Sequence, residues 1–198
     1  EKYKADIRAE FAGLFYRRFV LGQWCAAENG IYDMFDIEKH VEPESTLVTR
    51  WPGVGIDYGT VNPFVGLLAG IGVDGRLHIT SEYRWDSRKE HRQKTDAEYS
   101  RDLTRWLDEY VQPGASEQHH GVSPERLVVD PSAASFVTQL WRDGWSPEKA
   151  DNSVMDGIRL VSTLLHRDLL RINASCTGTI DELSSYSWDD KAALKGED

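Results

Sequence analysis

Two aspartates stand where apolar strands run out. Asp57 follows Val54 and Ile56 and precedes Tyr58-Gly59, where an extended segment gives way to a turn. Asp130 follows Leu127, Val128 and Val129 and meets Pro131, whose missing amide cannot extend a ladder. An acid that ends an apolar strand is costly to bury alone and tends to face a crevice. Two of them on adjacent strands would repel each other unless a cation sat between them. That is how a Mg²⁺ site is built, from hard oxygen ligands, retained waters and a substrate phosphate. Two ions about 4 Å apart would activate water and stabilise the leaving oxygen of a phosphodiester. Spacing alone leaves a plainer reading open: Asp130-Pro131-Ser132 also fits an ordinary turn or helix cap, and chain separation does not make the two strands neighbours.

Other residue types bear on the same chemistry less directly. Glu82, near the end of a third strand, fits a further carboxylate for the metal and fits a solvent-facing position equally well. Asp198, in the run Lys195-Gly196-Glu197-Asp198, reaches a metal only if that tail folds back. Arg84, Arg88, Lys89, His91, Arg92 and Lys94, interleaved with Tyr83 and Trp85, form the best basic cluster and suit phosphate contacts. Asp86, Glu90 and Asp96 dilute that cluster, so a solvated loop is the alternative. His119-His120 has no third ligand in register and reads as loop. His166 and Cys176 offer no nucleophile-base pair, and Ser132 and Ser135 lie outside any GxSxG turn. Neither GxGxxG nor a Walker GxxxxGK[ST] is present, so phosphate-loop nucleotide binding is unsupported.

The elements that must position the two acids follow from hydrophobic patterning. Gly53 to Gly59 reads as a strand, Pro63 to Gly72 as an almost wholly apolar second strand, and Leu77 to Tyr83 as an alternating third. Asp74-Gly75 supplies the tight turn between the last two, so the three should form an antiparallel meander. Thr95 with Glu98 fits a capping box, and Tyr99, Leu103, Trp106 and Tyr110 then make one apolar helical face that Pro113-Gly114 ends. Arg126 to Asp130 is a short strand. A helix capped by Ser132 carries Phe136, Val137, Leu140 and Trp141 and ends at Gly144. Lys149 to Asp151 suggests a brief fifth strand, Ser153 with Asp156 begins a helix burying Ile158, Val161 and Leu165, and Ile180, Leu183 and Tyr186 suggest a last short helix. Serial hairpins followed by crossover helices predict an α/β fold, a mixed sheet covered by helices.

Composition bounds the rest. The chain has 198 residues, 23 Lys+Arg against 33 Asp+Glu and a formal net charge of -10. That is enough chain for one core without disulfide or metal staples. No run of about 18 apolar residues and no signal-peptide pattern is visible. The distant Cys25 and Cys176 argue against a disulfide scaffold or zinc module and for a reducing, intracellular setting. Net acidity argues mildly against a protein that coats nucleic acid, although a local basic face is compatible with it. Before Leu47 the chain changes character: Phe11, Leu14, Phe15, Phe19 and Trp24 recur at roughly helical spacing, and Glu38 to Glu44 is polar. Residues 1–46 are accordingly expected to form an arm or linker, with the first helix of the domain as the alternative, and 47–198 the compact domain.

In these residues the chain resembles the C-terminal nuclease domain of the large terminase subunit of tailed bacteriophages. FAGLFYRRFVLGQWCAAENGIYDMFD (Phe11–Asp36) looks like the segment that leaves that family's packaging ATPase. GIDYGTVNP (Gly55–Pro63) is similar to its first catalytic strand, and VVDPSAASF (Val128–Phe136) to its second. VMDGIRLVSTLL (Val154–Leu165) and IDELSSYSWDDKAALKGED (Ile180–Asp198) match its later helix and the approach to the C-terminus. The resemblance implies a ribonuclease H-like sheet and divalent-metal-dependent cleavage of double-stranded DNA during genome packaging, with another ribonuclease H-like nuclease (a resolvase or RNA-hybrid nuclease) or a noncatalytic DNA-packaging scaffold as the alternatives. It implies Asp57 and Asp130 as catalytic Mg²⁺ or Mn²⁺ ligands, with two ions when substrate is bound. It also implies portal protein and small terminase subunit as partners, action in the host-cell cytoplasm at the procapsid, and an ATPase domain absent from these residues. The family's third acid sits in a D-H-x-x-D-A-x-R-Y-like helix, and this sequence stops just short of one. A missing final helix and weak activity are therefore expected, with Asp198 or Glu82 as the candidate third ligand.

Overall fold

The computed structural model describes residues 30–43, 46–59, 62–112 and 120–187. In chain order the elements are α1 (Ile37–His40), β1 (Val41–Glu42), β2 (Val48–Asp57), β3 (Phe64–Gly72), β4 (Leu77–Trp85), α2 (Asp96–Asp108), β5 (Leu127–Val129), α3 (Ala134–Arg142), β6 (Pro147–Lys149), α4 (Val154–His166), β7 (Leu170–Asn173) and α5 (Thr177–Ser185). The seven strands form one mixed sheet in the order β1-β7-β4-β3-β2-β5-β6. β3 is antiparallel to both its neighbours, while the other pairs are parallel. The expected meander is there, with the shorter parallel strands flanking it.

Each face of the sheet carries its own core. Val54, Ile56, Phe64, Leu68, Leu127 and Val129 face α2 and α3, where Tyr99, Leu103, Phe136 and Leu140 are fully enclosed. Phe64 stacks on Tyr99 with ring centroids 4.2 Å apart, and burying such aromatics dominates the energetics of this layer. Helix α2 starts where the sequence signals it: the Thr95 hydroxyl accepts from the Glu98 amide while Glu98 returns to the Thr95 amide. On the opposite face Leu77, Ile79, Ile172 and Leu165 pack with Tyr32, Phe35 and Cys176.

Two local readings are corrected, and one segment that pattern leaves unclassified is assigned. Leu170–Asn173, too short to classify from pattern, is the strand that joins β1 to β4. The brief fifth strand lies at Pro147–Lys149 rather than 149–151, with Pro147 at its first position, where a missing amide is tolerated. Ser132 does not cap α3: the N-cap is Ala133, without a side-chain hydrogen bond. Instead, the Ser132 amide donates to Asp130 at 2.7 Å. The helix start read at Ser153 is borne out: Ser153 is the N-cap of α4, and its hydroxyl donates to the Asp156 carboxylate at 2.7 Å.

Residues 30–43, placed by composition in the arm, pack with the folded domain. Ile31, Tyr32, Met34 and Phe35 supply apolar area to the second core, and β1 adds an edge strand. His40 fixes that joint. Its Nδ1 accepts from the Asp36 amide at 3.0 Å, so its Nε2 donates to the Leu165 carbonyl at 3.1 Å. Phe11, Leu14, Phe15, Phe19, Trp24, Cys25, Pro113-Gly114, His119 and Asp198 lie outside the described residues.

Candidate metal centre

β2 and β5 are parallel, and their last registered pair is Ile56 with Val129. Asp57 and Asp130 each come one residue later, so they stand side by side at the carboxyl ends of adjacent strands. Strand ends of this kind are where open α/β sheets place their ligands. The Asp130 amide still reaches the Ile56 carbonyl at 3.3 Å, which fixes the spacing of the two acids. The next residue, Tyr58, turns to the opposite face. It packs against Phe64, Tyr99 and Phe136, and its hydroxyl donates to Asp96 at 2.5 Å. Tyr58 thereby anchors the turn that presents Asp57. Gly59 completes that turn because a Cβ there would stand 2.2 Å from the Asn62 carbonyl oxygen.

The two carboxylates are not equivalent. Burial raises the Asp57 carboxyl above its ordinary value and the charge of Asp130 raises it further, with Arg84 acting against both. Asp57 is nonetheless an exposed residue, so this is crowding at a groove mouth rather than enclosure. Asp130 is held below its ordinary value, first by the Ser132 amide and more weakly through Asn152, whose Nδ2 lies 3.5 Å away. One acid is pinned in its charged form and the other bears the repulsion. A hard cation shared between them would relieve it, so the donor set fits Mg²⁺ or Mn²⁺ chemically.

An open groove of about 750 Å³ lies against this face. Asp57, Val65 and Leu67 contribute to its floor, and α5 with Tyr32 and Tyr186 to its walls. The strand register sets Asp57, Val65 and Arg84 in one row, and Leu67 and Glu82 in the next. Glu82 therefore shares the sheet face of Asp57, as a metal ligand would need. Its Oε2, however, already accepts from the Thr179 amide at 2.7 Å and the Thr179 hydroxyl at 2.5 Å, at the start of α5. Among the described residues, no three His, Cys, Asp or Glu side chains gather to enclose a metal. Asp57 and Asp130 are a pair.

The basic run divides among three environments. Arg88, Lys89 and Arg92 are exposed in the segment after β4, Arg92 paired with Glu98 and Lys89 4.0 Å from Asp86. Lys94 folds inward, its Nζ 2.5 Å from Asp102, 3.0 Å from the Tyr83 hydroxyl and 3.5 Å from the Trp85 ring centroid. Arg84 points into the groove and pairs with Glu182. Cys176 is enclosed, with burial pushing its thiol up to about 12, and is inert as a nucleophile. The sequence reading missed Thr179, Glu182 and Asn152. None carries a local signal, since each reaches the site only through strand register or helix docking.

No family model matches the chain. Over its whole length it is 41% identical to the large terminase of the thermophilic bacteriophage D6E, solved in complex with ADP, with a TM-score of 0.74. The large terminase subunit of Escherichia phage T5 is 23% identical over 184 residues, 88% of this chain. The chain spans 47% of the D6E protein and 38% of the T5 protein. In fold it also matches the P22 large terminase nuclease domain, with a TM-score of 0.57 at 15% identity and 85% and 84% of the two chains covered. The phage G20c large terminase nuclease with bound magnesium gives 0.54 at 14%, covering 80% of each chain. The resemblance to large terminase nuclease domains is borne out, and with it the ribonuclease H-like mixed sheet.

Proposed function

We propose that this chain is the nuclease part of a large terminase subunit and cuts double-stranded phage DNA through divalent metal held by Asp57 and Asp130. One observation carries the proposal. Two aspartates meet at the ends of adjacent parallel strands in a ribonuclease H-like sheet, and the charge of one destabilises the ionised form of the other. Bound Mg²⁺ or Mn²⁺, as one ion or a pair, supplies an activated water and charge stabilisation at the leaving oxygen. Asp130 stays ionised through the Ser132 amide, and Tyr58 and Gly59 fix the direction of Asp57. Arg88, Lys89 and Arg92 offer exposed charge to DNA phosphates beyond the cut. The substrate reaches the site as packaged genome, in the host cell at the procapsid. The portal protein, the small subunit and an ATPase domain complete the machine.

The test is cleavage of duplex plasmid over a Mg²⁺ and Mn²⁺ titration, by the wild-type protein and by Asp57→Asn and Asp130→Asn. Metal-dependent cutting is expected from the first, with a loss of at least about 100-fold in each variant. Undiminished cutting by a folded Asp57→Asn protein would sink the assignment, and cutting confined to an RNA–DNA hybrid would move it to a hybrid nuclease.

A further inference from the structure

Arg84 stands apart from the basic run in which the sequence places it. It sits in the same cross-strand row as Asp57, two strands away on the same face, and among the described residues it is the one cation lining the groove. Its Nη2 donates to Glu182. Its Nη1 is closed to solvent and has no hydrogen-bond partner. Helix α5 is shaped around this guanidinium: a Cβ on Gly178 would fall 2.7 Å from both Cζ and Nε of Arg84. A guanidinium in a fitted cradle, paired with Glu182 on one side and beside an acid pair, is still one acceptor short. Its planar fork matches two oxygens of a phosphate. The carboxylates that line the groove, Asp57 and Glu182, would repel a polyanion, so a fixed cation here supplies attraction where the backbone must approach most closely.

We propose that Arg84 is a catalytic residue of this centre, contacting a non-bridging oxygen of the scissile phosphate and holding it against Asp57 and Asp130. The proposal rests on the nuclease reading above and sharpens it. Arg84 serves the rate of the chemical step, whereas Arg88 and Arg92 serve affinity along the DNA. Glu182 orients the guanidinium from one side, and the phosphate reaches it from the groove that Arg84 lines.

Two readouts test it, one independent of cutting. In single-turnover cleavage at saturating DNA, Arg84→Gln should lose about 100-fold in rate, as for removal of a positioned donor to transition-state charge. DNA affinity should change by less than about threefold. Arg84→Lys should recover only part of the rate, because a point charge does not replace a fork. If Arg84 merely tethers α5 through Glu182, Glu182→Gln and Arg84→Gln should lose equally. The proposal requires Arg84→Gln to lose at least about tenfold more. Wild-type rate in Arg84→Gln, or equal losses in the two variants, overturns it.

The second readout is the Nε–Hε resonance of Arg84 in ¹⁵N-labelled protein, assigned by its disappearance in Arg84→Lys. A short DNA duplex should shift it. A resonance that the duplex leaves in place overturns the proposal, as does one that moves with inorganic phosphate alone. If the wild-type protein cuts nothing, the nuclease reading fails, and this resonance still decides whether Arg84 takes a DNA phosphate.

Discussion

Replacing Asp57 with Asn should make the protein more stable as it makes it inactive. Adjacent strands lie about 4.8 Å apart, so the two carboxylates of Asp57 and Asp130 repel across roughly that distance. Coulomb's law gives about 0.9 kcal/mol at the dielectric of water and about 3.5 kcal/mol at an effective value of 20. Asp57 is open to solvent and Arg84 offsets part of the repulsion, so the low end applies, about 0.5–1 kcal/mol. In a domain of this size that is a rise of about 1–4 °C in Tm. The assay is thermal unfolding of wild type and Asp57→Asn in chelator near neutral pH, repeated with Mg²⁺. The direction with pH follows from linkage. The Asp57 carboxyl titrates higher in the folded protein than in the unfolded chain, so the folded state binds more protons and the wild type loses stability as pH rises between the two values. The advantage of the variant should therefore be full above the folded value and vanish below the ordinary value of about 3.9. Mg²⁺ should raise the Tm of the wild type and leave the variant almost unmoved. A variant no more stable than wild type at neutral pH in chelator, or a gap that widens in acid, would refute this account of the pair.

Lys94→Ala should cost about 1–3 kcal/mol in urea unfolding, because it leaves Asp102 with the Tyr83 hydroxyl but without its nearest cation and strips a cation from the Trp85 ring. Arg88→Ala with Arg92→Ala should leave stability within about 0.5 kcal/mol per site and reduce the salt slope of DNA binding by about one unit each, read by titration at several salt concentrations. His78→Leu should cost about 2–3 kcal/mol in the same unfolding assay. The imidazole lies 2.7 Å from Glu42 and 3.0 Å from Asp74, joining edge strand β1 to the β3–β4 turn. Acid should also weaken the fold through Asp74 and Asp168. Burial raises Asp74, but hydrogen bonds from His78 and Arg76 hold it well below the ordinary range, and Arg171 does the same for Asp168. Their stabilisation is present above the ordinary carboxylate value and should fade as pH falls through the lower folded values, a loss that His78→Leu should reduce.

What the sequence made legible was whatever a short stretch of chain decides by itself. Asp57 and Asp130 showed as acids closing apolar runs, and the capping box of α2 as Thr95 and Glu98. The Asp74-Gly75 turn follows from the left-handed backbone that Gly75 adopts at φ 75°. Residues whose role depends on distant partners were opaque. Leu170–Asn173 is a strand only because β4 and β1 offer edges on either side of it. Lys94 looked like one more exposed cation, and what turned it inward was Asp102 and Tyr83 arriving from a helix and a strand. Ile31 to Phe35 read as a linker because its apolar residues have no partners within their own stretch.

The groove chemistry depends on one feature that alternation conceals. β4 pairs with β3 as Ala69 with Ile79 and then as Leu68 with Ser81, leaving Thr80 as an extra residue, buried with its hydroxyl on the Leu68 carbonyl at 3.3 Å. Continued without that bulge, the register would set Tyr83 opposite Val65 and send Glu82 to the aromatic core opposite Gly66. A one-residue slip reverses every later side chain. With the bulge, Tyr83 enters the core against Phe64 and Trp106, and Glu82 and Arg84 come out on the face of Asp57. The apolar residues Leu77 and Ile79 keep that same face nearer the turn, where the second core needs them. A single strand thus builds a hydrophobic floor at one end and a charged groove at the other, and Thr80 is where one becomes the other.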